Sequence, residues 1–254
     1  MKARLDLALV ARGLAASRTL AQALVMAGKV RVGGQVERKA SRQIDESAEV
    51  EVEAPPRFVS RGGEKLEGAF SLWGSAGDFP LDANGKVCLD VGSSTGGFTD
   101  CLLQHGASLV MAVDVGTNQL AYSLRRDPRV WVRENFNARF MKPSDLPHAP
   151  EVAVTDVSFI SLRLILPPIV EVLAPGGRIV ALIKPQFEVG KGNAPGGLVR
   201  DESLRLAARD GIVDFATGRL GLELLGLAES PIRGREMGNV EYLSYWRTRW
   251  RNEH

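Results

Sequence analysis

One stretch constrains this chain more than any other: Cys88-Leu-Asp-Val-Gly-Ser-Ser-Thr-Gly-Gly-Phe-Thr-Asp100. Its apolar start, Val87 to Val91, predicts a fully buried strand. The small residues Gly92, Ser93, Ser94, Thr95, Gly96 and Gly97 predict a tight turn, and a helix starts near Phe98. A second apolar run, Leu109 to Val113, ends in Asp114, 24 residues after Asp90. Strand, turn and helix in repetition wind into a parallel sheet whose strand carboxyl ends face a ligand crevice. Small residues at the first such end let a ligand approach the backbone closely. A carboxylate at 114 is placed to accept hydrogen bonds from ribose hydroxyls. The pattern reads as a binder of a nucleoside-containing cofactor.

Chemistry narrows the choice. The dinucleotide fingerprint Gly-x-Gly-x-x-Gly seats a pyrophosphate on a helix N-terminus. Gly92-Ser-Ser-Thr-Gly96-Gly97 lacks that spacing, and Asp90 stands two residues before the first glycine. A carboxylate there repels a pyrophosphate and suits a cationic or zwitterionic ligand with an amino group, such as S-adenosyl-L-methionine. The plain alternative is a glycine-rich connection with no ligand, against which the two strand-end aspartates weigh.

The alternation continues through predicted strands at 87–91, 109–114, 129–133, 151–157, 178–184, 222–228 and 241–250. Helices are predicted at 97–105, 118–126, 161–173 and 203–219. The fold class is α/β, a mostly parallel seven-stranded sheet covered on both faces. The last two strands lack a helix between them and are expected to pair antiparallel at one edge. Pro167-Pro168 should kink the helix around it. Ser60 to Phe70 reads as a capped helix ahead of the first strand. The sequence is 44% hydrophobic, so a sizeable core is available, and no apolar run nears the ~20 residues that span a bilayer. Cys88 and Cys101, the two cysteines, sit in apolar settings that fit a reducing cytoplasm. His105, His148 and His254 lack metal-ligand spacing, and no metal is expected.

The net charge of +2 hides an asymmetry. Residues 1–44 carry nine lysines and arginines against two acids, a net +7, which leaves −5 on the rest. Two short helices, the second N-capped by Ser17, then a hairpin over Lys29 to Val36 and a strand at 48–52 make a compact α+β module. Its one-signed charge points to a polyanion, with Arg4, Arg18, Lys29 and Arg31 as the candidates to grip phosphates; a solvated basic surface is the bland alternative. Domains are expected at 1–54 and 60–254, with a linker at 55–59 around Pro55-Pro56.

Four polar residues stand where burial is costly unless they are used. Lys65 lies in the helix before the first strand. Asp156 closes the run Val152 to Thr155, Lys184 closes Ile179 to Ile183, and Glu241 opens the last strand. Strand ends meet at one sheet edge, which brings Asp156 and Lys184 beside the cofactor turn. Glu241 joins them if its strand runs antiparallel. A lysine held in such a place can take a proton from a hydroxyl that attacks an electrophilic methyl group. For any one residue, a structural ion pair is the simpler reading.

The motifs Ser60-Arg-Gly-Gly-Glu-Lys-Leu66, Thr155-Asp-Val-Ser-Phe-Ile-Ser-Leu162, Ile183-Lys-Pro-Gln-Phe-Glu188 and Gly238-Asn-Val-Glu-Tyr242, with the turn at 90–100, resemble the TlyA family of ribosomal RNA 2′-O-methyltransferases, whose bodies are FtsJ-like. The arm resembles the S4 RNA-binding module through Arg4-Leu-Asp6, Ser17-Arg18 and Ala27-Gly-Lys-Val30. The resemblance implies a Rossmann-like methyltransferase behind a small S4-like domain, acting on a cytidine ribose 2′-hydroxyl of ribosomal RNA or ribosomal subunits. It implies S-adenosyl-L-methionine held by Asp90, Gly92, Ser93, Ser94, Thr95, Gly96, Gly97, Phe98, Asp114 and Asp156. It makes Lys184 the base, oriented and tuned by Lys65, Asp156 and Glu241. Arg61 is a further RNA candidate near the catalytic face, with Arg133, Arg139, Lys191 and Arg200 as weaker ones. The glycine-rich segment 190–197 is expected to order over the site when RNA arrives. Some relatives carry a hemolysin label, but no amphipathic stretch here reads as membrane-seeking. The rival readings are a non-catalytic ribosome-assembly factor, a membrane-active lysin and, on fold alone, a nicotinamide-dependent oxidoreductase.

Overall fold

The computed structural model describes residues 2–54, 56–190, 192–234 and 237–248. The chain divides into two compact units, Met1–Pro56 and Arg57–His254.

The first unit runs β1 (Lys2–Arg4), α1 (Leu5–Ala11), α2 (Arg18–Met26), β2 (Val30–Val32), β3 (Gln35–Glu37), β4 (Gln43–Asp45) and β5 (Val50–Val52). Ser17 caps α2 as expected, its hydroxyl accepting from the Leu20 amide at 3.2 Å. β3, β2 and β5 form an antiparallel sheet, and β1 pairs with β4. Those last two strands are absent from the sequence prediction. Three residues are too few to show alternation, and they become strands only by pairing with each other, Ala3 opposite Ile44. Leu5, Leu9, Ala21, Val25, Val30 and Ile44 form the core.

The second unit opens with α3 (Gly62–Trp73) and continues β6 (Val87–Val91), α4 (Gly97–Gln104), β7 (Leu109–Val113), α5 (Tyr122–Arg125), β8 (Val130–Arg133), β9 (Val152–Thr155), α6 (Leu166–Val172), β10 (Arg178–Ile183), α7 (Glu202–Leu220), β11 (Glu223–Glu229) and β12 (Tyr242–Arg247). The seven strands lie in the order β11-β12-β10-β9-β6-β7-β8. Only β12 runs against the rest: it is antiparallel to both β10 and β11. The expected edge pair is thus an insertion, with β12 inside the sheet and β11 at its rim.

Alternation along each strand separates two cores. Cys88, Val152, Val154, Val180 and Leu182 face α3 and α4 residues such as Leu66, Phe70 and Leu102. Leu89, Val91, Ala153, Ile179, Ala181 and Ile183 face α6 and α7 through Leu166, Ile169, Ile212 and Ala216. Burial on both faces is what makes these strands read as unbroken apolar runs.

Three local expectations fail. Pro167-Pro168 kinks no helix: α6 starts at Leu166, so both prolines fall in its first turn, where no amide donor is needed. The helix predicted at 118–126 shrinks to α5, because Glu134 accepts from the amides of Asn118 (2.9 Å) and Gln119 (3.1 Å) and holds that segment as a loop. α3 has no side-chain cap; Ser60 contributes only its carbonyl, which accepts from the Gly63 amide at 3.1 Å.

Candidate active site

The carboxyl ends of β6, β9 and β10 and the start of β12 meet at one cleft of about 880 Å³. Lys65, Asp156, Lys184 and Glu241 all line it. Lys184 Nζ lies 2.6 Å from Asp156 Oδ1 and donates to Ser158 Oγ at 2.8 Å. Lys65 Nζ donates to Glu241 Oε2 at 2.7 Å and to Asp156 Oδ2 at 3.4 Å. The result is one chain of alternating charge, Lys184–Asp156–Lys65–Glu241, in which Lys65, Lys184 and Glu241 are buried. Buried charges persist only when paired, and each of these is.

Tight packing sets this geometry. Lys65 is brought close by the approach of α3 to the turn after β6. A Cβ on Gly97 would stand 2.3 Å from Ser60 Oγ and 2.7 Å from the Gly63 amide nitrogen, so only glycine lets the two segments touch. Glu241 is held in a similar way from the other side. A Cβ on Gly234 would stand 2.9 Å from Glu241 Oε1.

The predicted cofactor residues separate into three groups. Gly92, Ser93, Ser94, Thr95, Gly97, Phe98 and Asp156 line the cleft. Asp114 is half-buried just beyond β7. Its two oxygens accept from the amides of Ser94 (2.7 Å) and Gly116 (2.6 Å), which leaves lone pairs for further donors. Asp90 and Gly96 are placed differently from the sequence reading. Asp90, expected beside the ligand, lies fully buried beneath the turn, because strand alternation turns it toward α4. There its Oδ2 accepts from Thr99 Oγ1 at 2.7 Å, while Oδ1 is buried without a partner. Burial pushes the Asp90 carboxyl up to about 7, helped by the nearby Asp156 charge and opposed by the Thr99 hydroxyl. Gly96, expected among the residues that hold the cofactor, has φ +100° and faces Leu120 and Leu124 instead.

The cleft fits a nucleoside cofactor carrying a cation. Its volume falls in the range of small-molecule sites. Asp156, half-buried on its lining, presents a carboxylate that suits a sulfonium.

Among the RNA candidates, Arg61 lines the cleft and donates to the Arg233 carbonyl at 3.4 Å. Arg4 and Arg18 both bind the fully buried carboxylate of Asp6, at 2.9 and 3.1 Å, and Gln22 joins them at 2.9 Å. Those contacts hold the Asp6 carboxyl well below the usual carboxylate range, the Arg4 hydrogen bond foremost. Lys29 pairs with Glu53 at 2.5 Å, and Arg31 donates to the Gly34 carbonyl at 3.1 Å. Arg133 is engaged by Asp145 at 3.0 Å, and Lys191 lies outside the described residues.

Residues without a predicted role also shape the cleft. Phe159 stands 83% exposed at its mouth, with φ +63°, tilted against Phe187 at 5.2 Å. Asn239, nearly fully buried, donates to the Gly197 carbonyl (2.7 Å) and accepts from the Val199 amide (3.0 Å), tying the glycine-rich segment to the approach to Glu241. Both lie inside motifs the sequence singled out, yet neither carries a charge at a strand end, the signal that drew attention to the other four. One three-residue group of metal-ligand types occurs among the described residues, Glu67, Cys101 and His105; Glu67 already serves Arg57 at 2.8 Å and His105 at 2.7 Å.

Residues 58–248 match the FtsJ-like methyltransferase family, and residues 3–50 match the S4 domain. The chain is 44% identical over 250 residues to the 16S/23S rRNA (cytidine-2′-O)-methyltransferase TlyA of Mycobacterium tuberculosis, covering 97% of this chain and 90% of that one. It is 42% identical to a protein of Brachyspira hyodysenteriae named hemolysin A, covering 96% and 99%. A solved structure titled as a hemolysin from Streptococcus thermophilus superposes with a TM-score of 0.73 at 42% identity, covering 98% and 89%. No helix among the described residues is long and apolar enough to cross a membrane. With its S4 domain, its FtsJ-like body and these relatives along nearly its whole length, the chain belongs to the TlyA family of methyltransferases.

Proposed function

We propose that this protein methylates the 2′-hydroxyl of a cytidine in ribosomal RNA, in the cytoplasm, with S-adenosyl-L-methionine as the methyl donor. The observation that carries the reading is the buried chain Lys184–Asp156–Lys65–Glu241 beside the Gly92–Phe98 turn. S-adenosyl-L-methionine, when bound, supplies an electrophilic methyl carbon on a sulfonium. The backbone of Gly92 to Thr95 would cradle it, and Asp114 would accept from its ribose hydroxyls. Asp90 supports the turn from below through Thr99.

Lys184, as the free amine, would take the 2′-hydroxyl proton at Nζ while the oxygen bonds to the methyl carbon and the carbon–sulfur bond breaks, its electron pair leaving with the sulfur as the thioether S-adenosyl-L-homocysteine. Asp156 orients that amine and holds it against the cleft wall. Lys65 donates to Asp156 and is itself held by Glu241, so that the base is aimed before the substrate arrives. Phe159 offers an aromatic face at the mouth, a surface on which an unstacked base can lie. The S4 domain, through Arg4, Arg18, Lys29 and Arg31, supplies affinity for phosphates, and Arg61 adds a contact beside the chemistry.

The test is mass mapping of ribose methylation on ribosomal subunits and on naked ribosomal RNA, incubated with protein and isotope-labelled S-adenosyl-L-methionine. The expected result is label on a cytidine ribose. Label on a base, or RNA binding with no label, rejects the proposal.

A further inference from the structure

We infer that Ser158 is a positioning residue for Lys184, one that sets the direction in which the amine presents its lone pair; the inference rests on the function proposed above. A neutral amine has two N–H bonds and one lone pair, arranged tetrahedrally about the nitrogen. Lys184 Nζ has two short oxygen neighbours, Asp156 Oδ1 at 2.6 Å and Ser158 Oγ at 2.8 Å. Its next oxygen neighbour, the Asp156 carbonyl, stands at 3.5 Å, the edge of bonding distance. The contact with Asp156 Oδ1 is an ion pair outside hydrogen-bond geometry, so the short hydrogen bond of the amine among the described residues runs to Ser158 Oγ. That bond fixes one N–H of the neutral amine and so limits where its lone pair can point. With Asp156 alone, charge holds the amine nearby but no short hydrogen bond directs it. Ser158 supplies that direction.

The local structure supports a fixed Ser158. It lies two residues beyond Asp156, and the adjoining Phe159 has a left-handed backbone that turns the chain back across the cleft. Glu188, four residues past Lys184, accepts from Ser161 Oγ at 2.6 Å and from the Leu162 amide at 2.8 Å. That carboxylate ties the segment after β10 to the segment after β9, so the loops carrying Lys184 and Ser158 are braced together. The charged groups around Lys184 are Asp156 in contact, Lys65 and Glu241 behind it, and Arg61 and Arg233 on the cleft lining. None of them is altered when Ser158 changes.

Removal of the serine oxygen leaves the lone pair poorly aimed. The test is the single-turnover rate of methyl transfer to ribosomal RNA at saturating cofactor for wild type, Ser158→Ala and Ser158→Thr, with cofactor affinity and thermal unfolding as controls for the fold. In Ser158→Ala the rate is expected to fall roughly 10- to 100-fold with cofactor affinity unchanged, the cost of a misplaced reacting group. Ser158→Thr, which keeps the hydroxyl, is expected to restore it. A Ser158→Ala protein with the wild-type rate overturns the inference. So does a rate that falls with no recovery in Ser158→Thr, which marks a packing role. A wild-type protein that transfers no methyl to ribosomal RNA overturns the proposed function itself, and this inference with it.

Discussion

Asp90 shows how a single residue can be identified by sequence and misplaced by it. Its position, at the end of an apolar strand before a glycine turn, was legible. Its direction was not, because period-two alternation points it at α4 and Thr99 rather than into the crevice. Burial raises its carboxyl to about 7, so the folded protein binds a proton there that the unfolded chain has already released. Stability from this group is present at low pH and is lost as pH rises from about 4 through about 7. Asp90→Asn is therefore expected to gain on the wild type in cofactor-free thermal unfolding as pH rises from 5.5 to 8.5, by roughly 1–3 kcal/mol; a difference that does not change with pH contradicts this. Lys65 and Glu241 form a pair of the opposite kind, both buried and mutually satisfied. Lys65→Met strands the Glu241 carboxylate and is expected to cost about 3 kcal/mol, measured by denaturant unfolding. Adding Glu241→Gln should recover most of that loss. Lysines and carboxylates at strand ends declare themselves in sequence because apolar neighbours set them off. Ser158 and Asn239 do not, since their partners are distant in the chain and polar residues in loops are common.

Elements were most legible where a run was long and uniformly apolar, as in β6, β7, β9 and β10. They were least legible where a tertiary contact overrides local preference. Glu134 unwinds the segment before α5 by taking its amides, and nothing near residue 118 announces that. The prolines of α6 suggest a kink only while the separate turn at Leu162–Leu164 and the helix Leu166–Val172 look like one continuous helix in sequence. The contact between α3 and α4 was hidden too, although its cause is written in Gly97. Gly97→Ala forces a methyl into Ser60 Oγ and the Gly63 amide. It is expected to cost 1–3 kcal/mol in unfolding free energy, roughly the penalty for overpacking, and to lower the transfer rate by displacing Lys65. Full activity in a stably folded Gly97→Ala protein would contradict the view that this contact places the lysine.

Across the whole chain, the charge asymmetry between residues 1–44 and the remainder was plain from composition, and the structure divides into the units Met1–Pro56 and Arg57–His254. How the arm uses its charge was less plain, since Arg4 and Arg18 are organised by one buried carboxylate, Asp6. If the arm grips phosphates, log affinity for ribosomal RNA falls linearly with log salt concentration. Lys29→Ala and Arg31→Ala should each flatten that slope by about 1; an unchanged slope in both places the contact elsewhere. In the proposed reading the arm supplies affinity, and the chemistry of the body depends on the amine of Lys184. The most direct test is single-turnover methyl transfer to ribosomal RNA by Lys184→Ala, beside wild type, with cofactor affinity measured on the same samples. The expected result is a folded protein that still binds S-adenosyl-L-methionine and has lost at least about 10²-fold in rate, the least that a positioned base contributes. Ribose methylation at the wild-type rate in that variant would show that some other group removes the proton.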